Sequence, residues 1–351
     1  MDNEIAVYHQ LLCDEDLAWL EAYIKTPAMQ RLKGVSMNCG TDYSPLFSPC
    51  YMYDTLSHSI GVARILWHFS HDRSMTLCGL FHDIATPSFK HCIDFMYEDA
   101  STQEATEALT SQLISQSNEI MALLKQDGIA LEAVNEDRLY PLANNPTPRL
   151  SADRLEYTFS SGLGFYRTWD LQTIQEIYGH MQVFQAEDGQ PEIGFDDLAT
   201  ARTYVHQALK LWQLFVSEAD RAVMQFWADL FACLVQKGYF QAEMLYRLSE
   251  REILTYLETL PDPEIQAVYQ AFRSCRQVFT STCPIPDHYC IQVSPKKRYI
   301  LPLVMHQGKL ARLDTWDEEI ALVVEAFKAQ RFDDYVCFDF DFPWVRTKNQ
   351  A

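Results

Sequence analysis

The chain has 351 residues, 48% hydrophobic and 13% aromatic, enough for one large domain or a domain plus an appendage with a core that needs no staples. Its formal net charge of −20 opposes a broad footprint on a nucleic-acid backbone, which needs a basic face. A small anionic substrate is not excluded, because a local cluster of cations suffices for it.

Residues 4–25 read as a helix with Leu17, Leu20 and Ile24 on one face. Thr26-Pro27 punctuates the chain, and Met29 to Met37 resumes a helical pattern. Residues 38–56 hold two prolines and a glycine and read as a long loop, either functional or simply packed on the surface. Ser57 to Asp83 then reads as two helices folded back on each other. Ile60, Ala63, Ile65, Leu66, Trp67 and Phe69 give the first its apolar run, residues 70–74 form a polar turn, and Met75 to Ile84 is the second run. Each arm is roughly 15–18 Å long at the helical rise, and a short turn makes the arms antiparallel. His58 at the start of one arm therefore falls beside His82 and Asp83 at the end of the other.

Pro87 turns the chain, and His91 and Asp94, three apart, share one face of a short helix. Thr102 to Leu124 is an amphipathic helix, and residues 127–150 return the chain to Arg149–Tyr157, a helix capped by Ser151. Residues 170–200 suggest a hairpin or exposed loop. Thr200 to Gln236 is strongly helical, in one or two pieces, with Trp212, Phe215, Met224, Phe226 and Trp227 read as core. Phe240 to Glu258 is a helix pair, and Leu260-Pro261-Asp262-Pro263 is a break. Beyond it, 289–294, 298–304, 310–313 and 335–340 have strand content, with a helix over 316–328. The expectation is a mainly α fold: a helical body over 1–262 with a small C-terminal α+β region over 263–351 packed on it.

Ten cysteines are scattered with no C-x-x-C pair. The N-terminus MDNEIAVYHQ is polar and acidic, and no apolar run approaches the roughly 20 residues a membrane span needs. The expectation is a cytoplasmic, reduced protein with free thiols and no membrane partner.

His58, His82 and Asp83 at one end of a helical hairpin suggest a metal site; the simpler alternative is a helix-end His packed against a carboxylate. His71-Asp72, the other His-Asp pair, lies in the polar turn and reads as solvated. Asp153, at the start of a third helix, could complete a set of two His and two Asp, or could be an acidic group favoured by the helix dipole. Such a set suits a first-row divalent ion or magnesium (Mn, Mg, Fe, Ni, Co or Zn) better than a closed structural zinc, and the reaction expected of it is metal-assisted phosphoester hydrolysis.

This His…His-Asp…Asp pattern resembles the HD-domain metal-dependent phosphohydrolases. TPAMQRL (26–32), LSHSIGV (56–62), LFHDIATPSFKH (80–91) and SADRLEY (151–157) are similar to the deoxynucleoside triphosphate triphosphohydrolase, or dGTPase-like, branch over roughly residues 20–260. The resemblance implies an HD-domain helical body, a nucleotide substrate, most directly a dNTP cleaved to deoxynucleoside and triphosphate, and a homo-oligomer. It implies a phosphate-binding role for Arg154 and a sugar contact for Tyr157. Lys90 and His91, just after the metal pair, are further cations for an anionic substrate, and Arg202 and Tyr204 fall in a stretch similar to a helix that contacts nucleotide in the family; each has a plain surface alternative, and Tyr157 a core one.

The chain also departs from the pattern. HD-x-G-H becomes His82-Asp83-Ile84-Ala85-Thr86, the Thr-His-Glu that supplies a catalytic acid becomes Thr102-Gln103-Glu104, and an Arg-Asp pair becomes Ser160-Ser161. Gln cannot transfer a proton, and such help is worth about 10²–10⁴-fold. With Asp94 retained, either His91 takes the catalytic role, or the chemistry is slower or different, or the protein binds nucleotide without turnover. A phosphatase or phosphodiesterase acting on nucleoside monophosphates or cyclic nucleotides, and a non-catalytic nucleotide sensor, are the alternative functions.

Overall fold

A computed structural model describes residues 2–92 and 104–348. The fold is mainly helical with a small C-terminal sheet region. Its organising unit is the antiparallel pair Thr55–Ser70 and Arg73–Phe81. Asp54 caps the first helix by accepting from the Ser57 amide at 2.7 Å, and Asp72 caps the second through the Met75 amide at 2.9 Å. Between them His71 takes a left-handed φ of 51° and closes the first helix. The second helix therefore starts at Arg73, earlier than its apolar run.

Gly79 lets the arms meet. A Cβ there would lie 2.2 Å from Leu66 Cδ1, so only glycine allows this crossing. Leu66, Leu77 and Leu80 are fully buried around it, each stabilising the fold by about 1.5–3 kcal/mol.

The helix Ala152–Ser160 lies against the Thr55–Ser70 helix, capped by Ser151 through the Arg154 amide at 3.4 Å. Farther on, Leu198–Phe215 and Glu218–Gln236 are two helices, divided where Ser217 caps the second. Residues 4–25 are likewise two helices, Asp2–Leu12 and Ala18–Ile24, separated by a stretch with three successive acids that prefers a turn. The expected 102–124 helix is Glu104–Gln116 followed by Asn118–Asp127, broken where Ser117 caps the second piece. Thr102 and Gln103 lie outside the described residues.

Strands β1 (Met181–Gln185) and β2 (Pro191–Phe195) form the hairpin. β2 also pairs in parallel with β5 (Leu303–His306), which pairs with β6 (Lys309–Arg312), giving the order β1-β2-β5-β6. The second sheet sets β7 (Tyr335–Cys337) between β3 (Phe279–Ser281) and β4 (Cys290–Ile291). The expected 298–304 strand is shorter: residues 292–302 are irregular, and pairing starts only at Leu303. Pro295 and Pro302 in this stretch lack the ladder donor.

Cys290 and Cys337 face each other in register across β4 and β7, with Cα atoms 4.0 Å apart, and form a disulfide. The expectation of free thiols throughout is corrected at this pair, because strand register, invisible in a spacing of 47 residues, brings the two together. Among the described residues no helix is long and apolar enough to cross a membrane.

Candidate metal centre and cavity

The two imidazoles meet at the open end of the helical hairpin, their Nε2 atoms 3.1 Å apart. His58 is buried, and its Nδ1 bonds the Glu156 carboxylate. His82 Nδ1 donates to the Gly79 carbonyl at 2.7 Å. Each ring thus spends its Nδ1 on an acceptor and turns Nε2 inward. Asp153 Oδ1 lies 3.2 Å from His58 Nε2 and 3.7 Å from His82 Nε2. Asp83 Oδ2 lies 3.9 and 3.7 Å from the same two nitrogens. One ligand atom from each of His58, His82 and Asp83 falls within 4.8 Å of the others.

This donor set fits a divalent cation. Two inward nitrogen lone pairs facing each other beside two carboxylates repel unless positive charge lies among them. The titration of the residues expresses the same demand. Burial alone would lower the His58 pKa, but Glu156 and Asp153 overcome it and push it up to about 9. Burial would raise the Asp153 carboxyl, yet its bond to His58 and the charge of both imidazoles hold it down at about 2. Asp83 goes the same way: Lys90 and the two histidines outweigh burial and keep it well below the usual carboxylate range.

Glu156 was not among the residues nominated from the sequence. It is fully buried, accepting also from Tyr53 OH at 2.7 Å and Ser160 Oγ at 3.2 Å. Its signal was present: Glu156 follows Asp153 by three, so both lie on the inner helix face. Gly61 opposite makes room for it, since a Cβ there would come within 2.7 Å of Glu156 Cγ. Thr86, standing where the resemblance expects a histidine, donates to Asp83 Oδ1 at 2.8 Å. It holds the carboxylate but offers no proton shuttle.

The centre opens into a cavity of about 620 Å³. Asn38, Cys39 and Thr41 from the loop after Met37 line it, as do Phe215 and Met224, two of the residues read as core. Lys90, His91 and Tyr157 also line it. Lys90 Nζ bonds Asp83 at 2.9 Å and touches Met37 Sδ at 2.9 Å. Its turn is held by Ser88 Oγ donating to the Leu248 carbonyl at 2.6 Å, and by Glu250, buried, accepting from the Phe89 amide at 2.9 Å and Tyr43 OH at 2.6 Å. His91 Nε2 accepts from Arg298 at 3.2 Å. Asp94 lies outside the described residues.

Three nominated residues do not reach the cavity. Arg154 points away from it because one helical step turns it about 100° from Asp153, and its guanidinium is taken up by Asn145 and the Arg149 carbonyl. Arg202 is half-exposed and paired with Asp317 at 3.0 Å and with Glu319. Tyr204 is fully buried among the rings of Phe159, Trp169 and Phe195. The Leu198–Phe215 helix packs its inner face on the core, so of its residues Phe215 alone borders the cavity. Arg298, which does line the cavity, was not nominated, because it lies in the tail beyond the region carrying the resemblance.

No protein-family model matches the chain. It is 23% identical over 316 residues to the uncharacterized protein YdhJ of Bacillus subtilis, covering 88% of this chain and 90% of that protein. It is 22% identical over 315 residues to the metal-dependent phosphohydrolase cns2 of Cordyceps militaris, covering 88% and 87%. The fold matches a phosphohydrolase crystal structure from Bacteroides thetaiotaomicron with TM-score 0.65 and 14% identity over 92% of this chain and 95% of that one. A hypothetical protein from Aquifex aeolicus matches with TM-score 0.64 and 14% identity over 96% of both chains. The solved structures share this chain's fold, one relative is a metal-dependent phosphohydrolase, and the His58–His82–Asp83 cluster here fits a divalent metal cofactor.

Proposed function

We propose that the chain hydrolyses a phosphoester bond of a nucleotide, with a divalent ion held by His58, His82, Asp83 and Asp153. The observation that carries this reading is the convergence of two Nε2 atoms and two carboxylates at the floor of a nucleotide-sized cavity. The bound ion would polarise the phosphoryl oxygen and make water a stronger nucleophile. The chain's own residues orient and balance the charge. Glu156 fixes the His58 ring, Gly79 fixes that of His82, and Thr86 and Lys90 hold the two oxygens of Asp83. His91, on the cavity wall, is the candidate for protonating the leaving group, with Asp94 as its partner. Tyr157 offers its ring to the sugar.

The substrate we place first is a deoxynucleoside triphosphate, released as deoxynucleoside and triphosphate, on the strength of the motif resemblance. The position of Arg154, Arg202 and Tyr204 away from the cavity favours a second reading, a nucleoside monophosphate or cyclic nucleotide, which needs fewer cations. The test is a panel of dNTPs, nucleoside monophosphates and cyclic nucleotides with manganese or magnesium, resolved by chromatography. Triphosphate as product supports the first reading; inorganic phosphate from a nucleoside monophosphate, or a nucleoside monophosphate from a cyclic nucleotide, supports the second. Metal-loaded protein that turns over nothing in the panel refutes both.

A further inference from the structure

The cations nominated from the sequence are all engaged: Lys90 with Asp83, Arg154 with loop carbonyls, and Arg202 with surface acids. Arg298, on the cavity wall, is in no ion pair among the described residues. Arg298 stands over the Tyr157 ring at 5.9 Å and donates to His91 Nε2 at 3.2 Å. The Asp153 and Asp220 carboxylates act on its charge from beyond ion-pair distance, so no carboxylate of the described residues occupies its fork, which leaves it for an anion entering the cavity.

The backbone that presents it is fixed. Residues 292–302 cross the cavity wall as an irregular strap, with Ser294, Pro295 and Lys296 lining beside Arg298. Arg221 Nη1 donates to the Val293 carbonyl at 2.9 Å at one end. At the other, the Leu301 amide donates to the Pro148 carbonyl at 2.8 Å, and Arg312 donates to the Leu301 carbonyl at 2.9 Å. Lys297 bonds the Lys328 and Gln330 carbonyls between them. A strap anchored on both sides, with the guanidinium already held by His91 and Tyr157, spends less binding energy on ordering.

We propose that Arg298 is the phosphate-binding residue of the cavity: it takes the phosphoryl group of the substrate opposite the His58–His82–Asp83–Asp153 corner, in the role the sequence had offered to Arg154. A guanidinium fork suits two phosphate oxygens at once. The assignment rests on the phosphohydrolase reading for the identity of the anion.

The test is calorimetric titration of manganese-loaded protein with inorganic phosphate, beside hydrolysis of the nucleotide panel. Wild type is compared with Arg298→Ala, Arg298→Lys and Arg331→Ala, the last a highly exposed arginine paired with Asp333. The expected result is that Arg298→Ala keeps its metal and thermal midpoint but binds phosphate about tenfold to a hundredfold more weakly. Arg298→Lys recovers part of the loss, and Arg331→Ala matches wild type. Wild-type phosphate affinity in Arg298→Ala with metal bound overturns the assignment, as does absence of phosphate binding by wild type. If the Ala variant does not fold, unchanged phosphate affinity in Arg298→Lys overturns it, since lysine lacks the fork. Phosphate binding that depends on Arg298 without hydrolysis of any nucleotide leaves the anion site standing and removes the hydrolase reading. Hydrolysis with phosphate binding indifferent to Arg298 does the reverse.

Discussion

Glu156 and His58 are joined by a buried hydrogen bond from the imidazole Nδ1 to the carboxylate, at the point where two helices cross. The bond fixes which ring nitrogen faces the metal corner, and Tyr53 and Ser160 donate to the same carboxylate. Outer partners of this kind typically contribute 10–100-fold to metal affinity. Glu156→Gln is expected to lower affinity for manganese by about that factor, because the neutral amide no longer supports the charge on the ring. Metal titration by calorimetry measures it, and wild-type affinity in the variant would remove Glu156 from the site.

Asp83→Asn is expected to abolish stable metal binding and nucleotide hydrolysis together. It removes a carboxylate that faces both histidines and leaves the Lys90 charge without its partner. Metal content after gel filtration is the measurement. A variant that retains stoichiometric metal and full turnover contradicts the ligand set.

Gly79→Ala tests the helix crossing rather than the chemistry. The added methyl would enter the space of Leu66 Cδ1, 2.2 Å away, and overpacking of this kind costs about 1–3 kcal/mol. A lowered thermal midpoint is expected. The effect on metal binding should follow, since the same crossing sets His58 beside His82.

Glu250 carries a pH dependence of stability. Burial raises its carboxyl to about 7 from 4.5, against the hydrogen bonds from Tyr43 and the Phe89 amide. Below the unfolded value both states hold the proton and the group contributes no pH dependence. As pH rises from 4.5 to about 7 the unfolded chain gives up its proton first, so the folded state loses stability by up to about 3 kcal/mol relative to acid. Glu250→Gln should remove that slope. Denaturant unfolding at pH 5 and pH 7.5 compares the two proteins, and equal pH dependence in both would contradict the assignment.

The helical hairpin and the meeting of His58 with His82 were legible because both follow from local pattern: the apolar period and one polar turn set the arms antiparallel. Asp153 was legible through the motif around it, and Glu156 could have been read from its spacing. Arg154, Arg202 and Tyr204 could not be resolved from sequence, because whether a residue on a helix faces a cavity depends on the neighbour packed against it. Arg154 meets loop carbonyls, and Tyr204 meets three other rings. Arg298 and the Cys290–Cys337 bond were hidden for a different reason. Both depend on pairings between distant segments, which leave no periodic trace in either segment.

The pairing of β2 with β5 joins residues more than a hundred positions apart, and it bears on the order of assembly. All four candidate metal-holding side chains leave the ribosome well before β5 and the arginine that borders the cavity. A nascent chain in that interval holds its cation-binding corner without the wall that closes over it. Completion of the cavity is thus tied to the last quarter of synthesis, and on the proposed reading substrate capture waits until the sheet is joined.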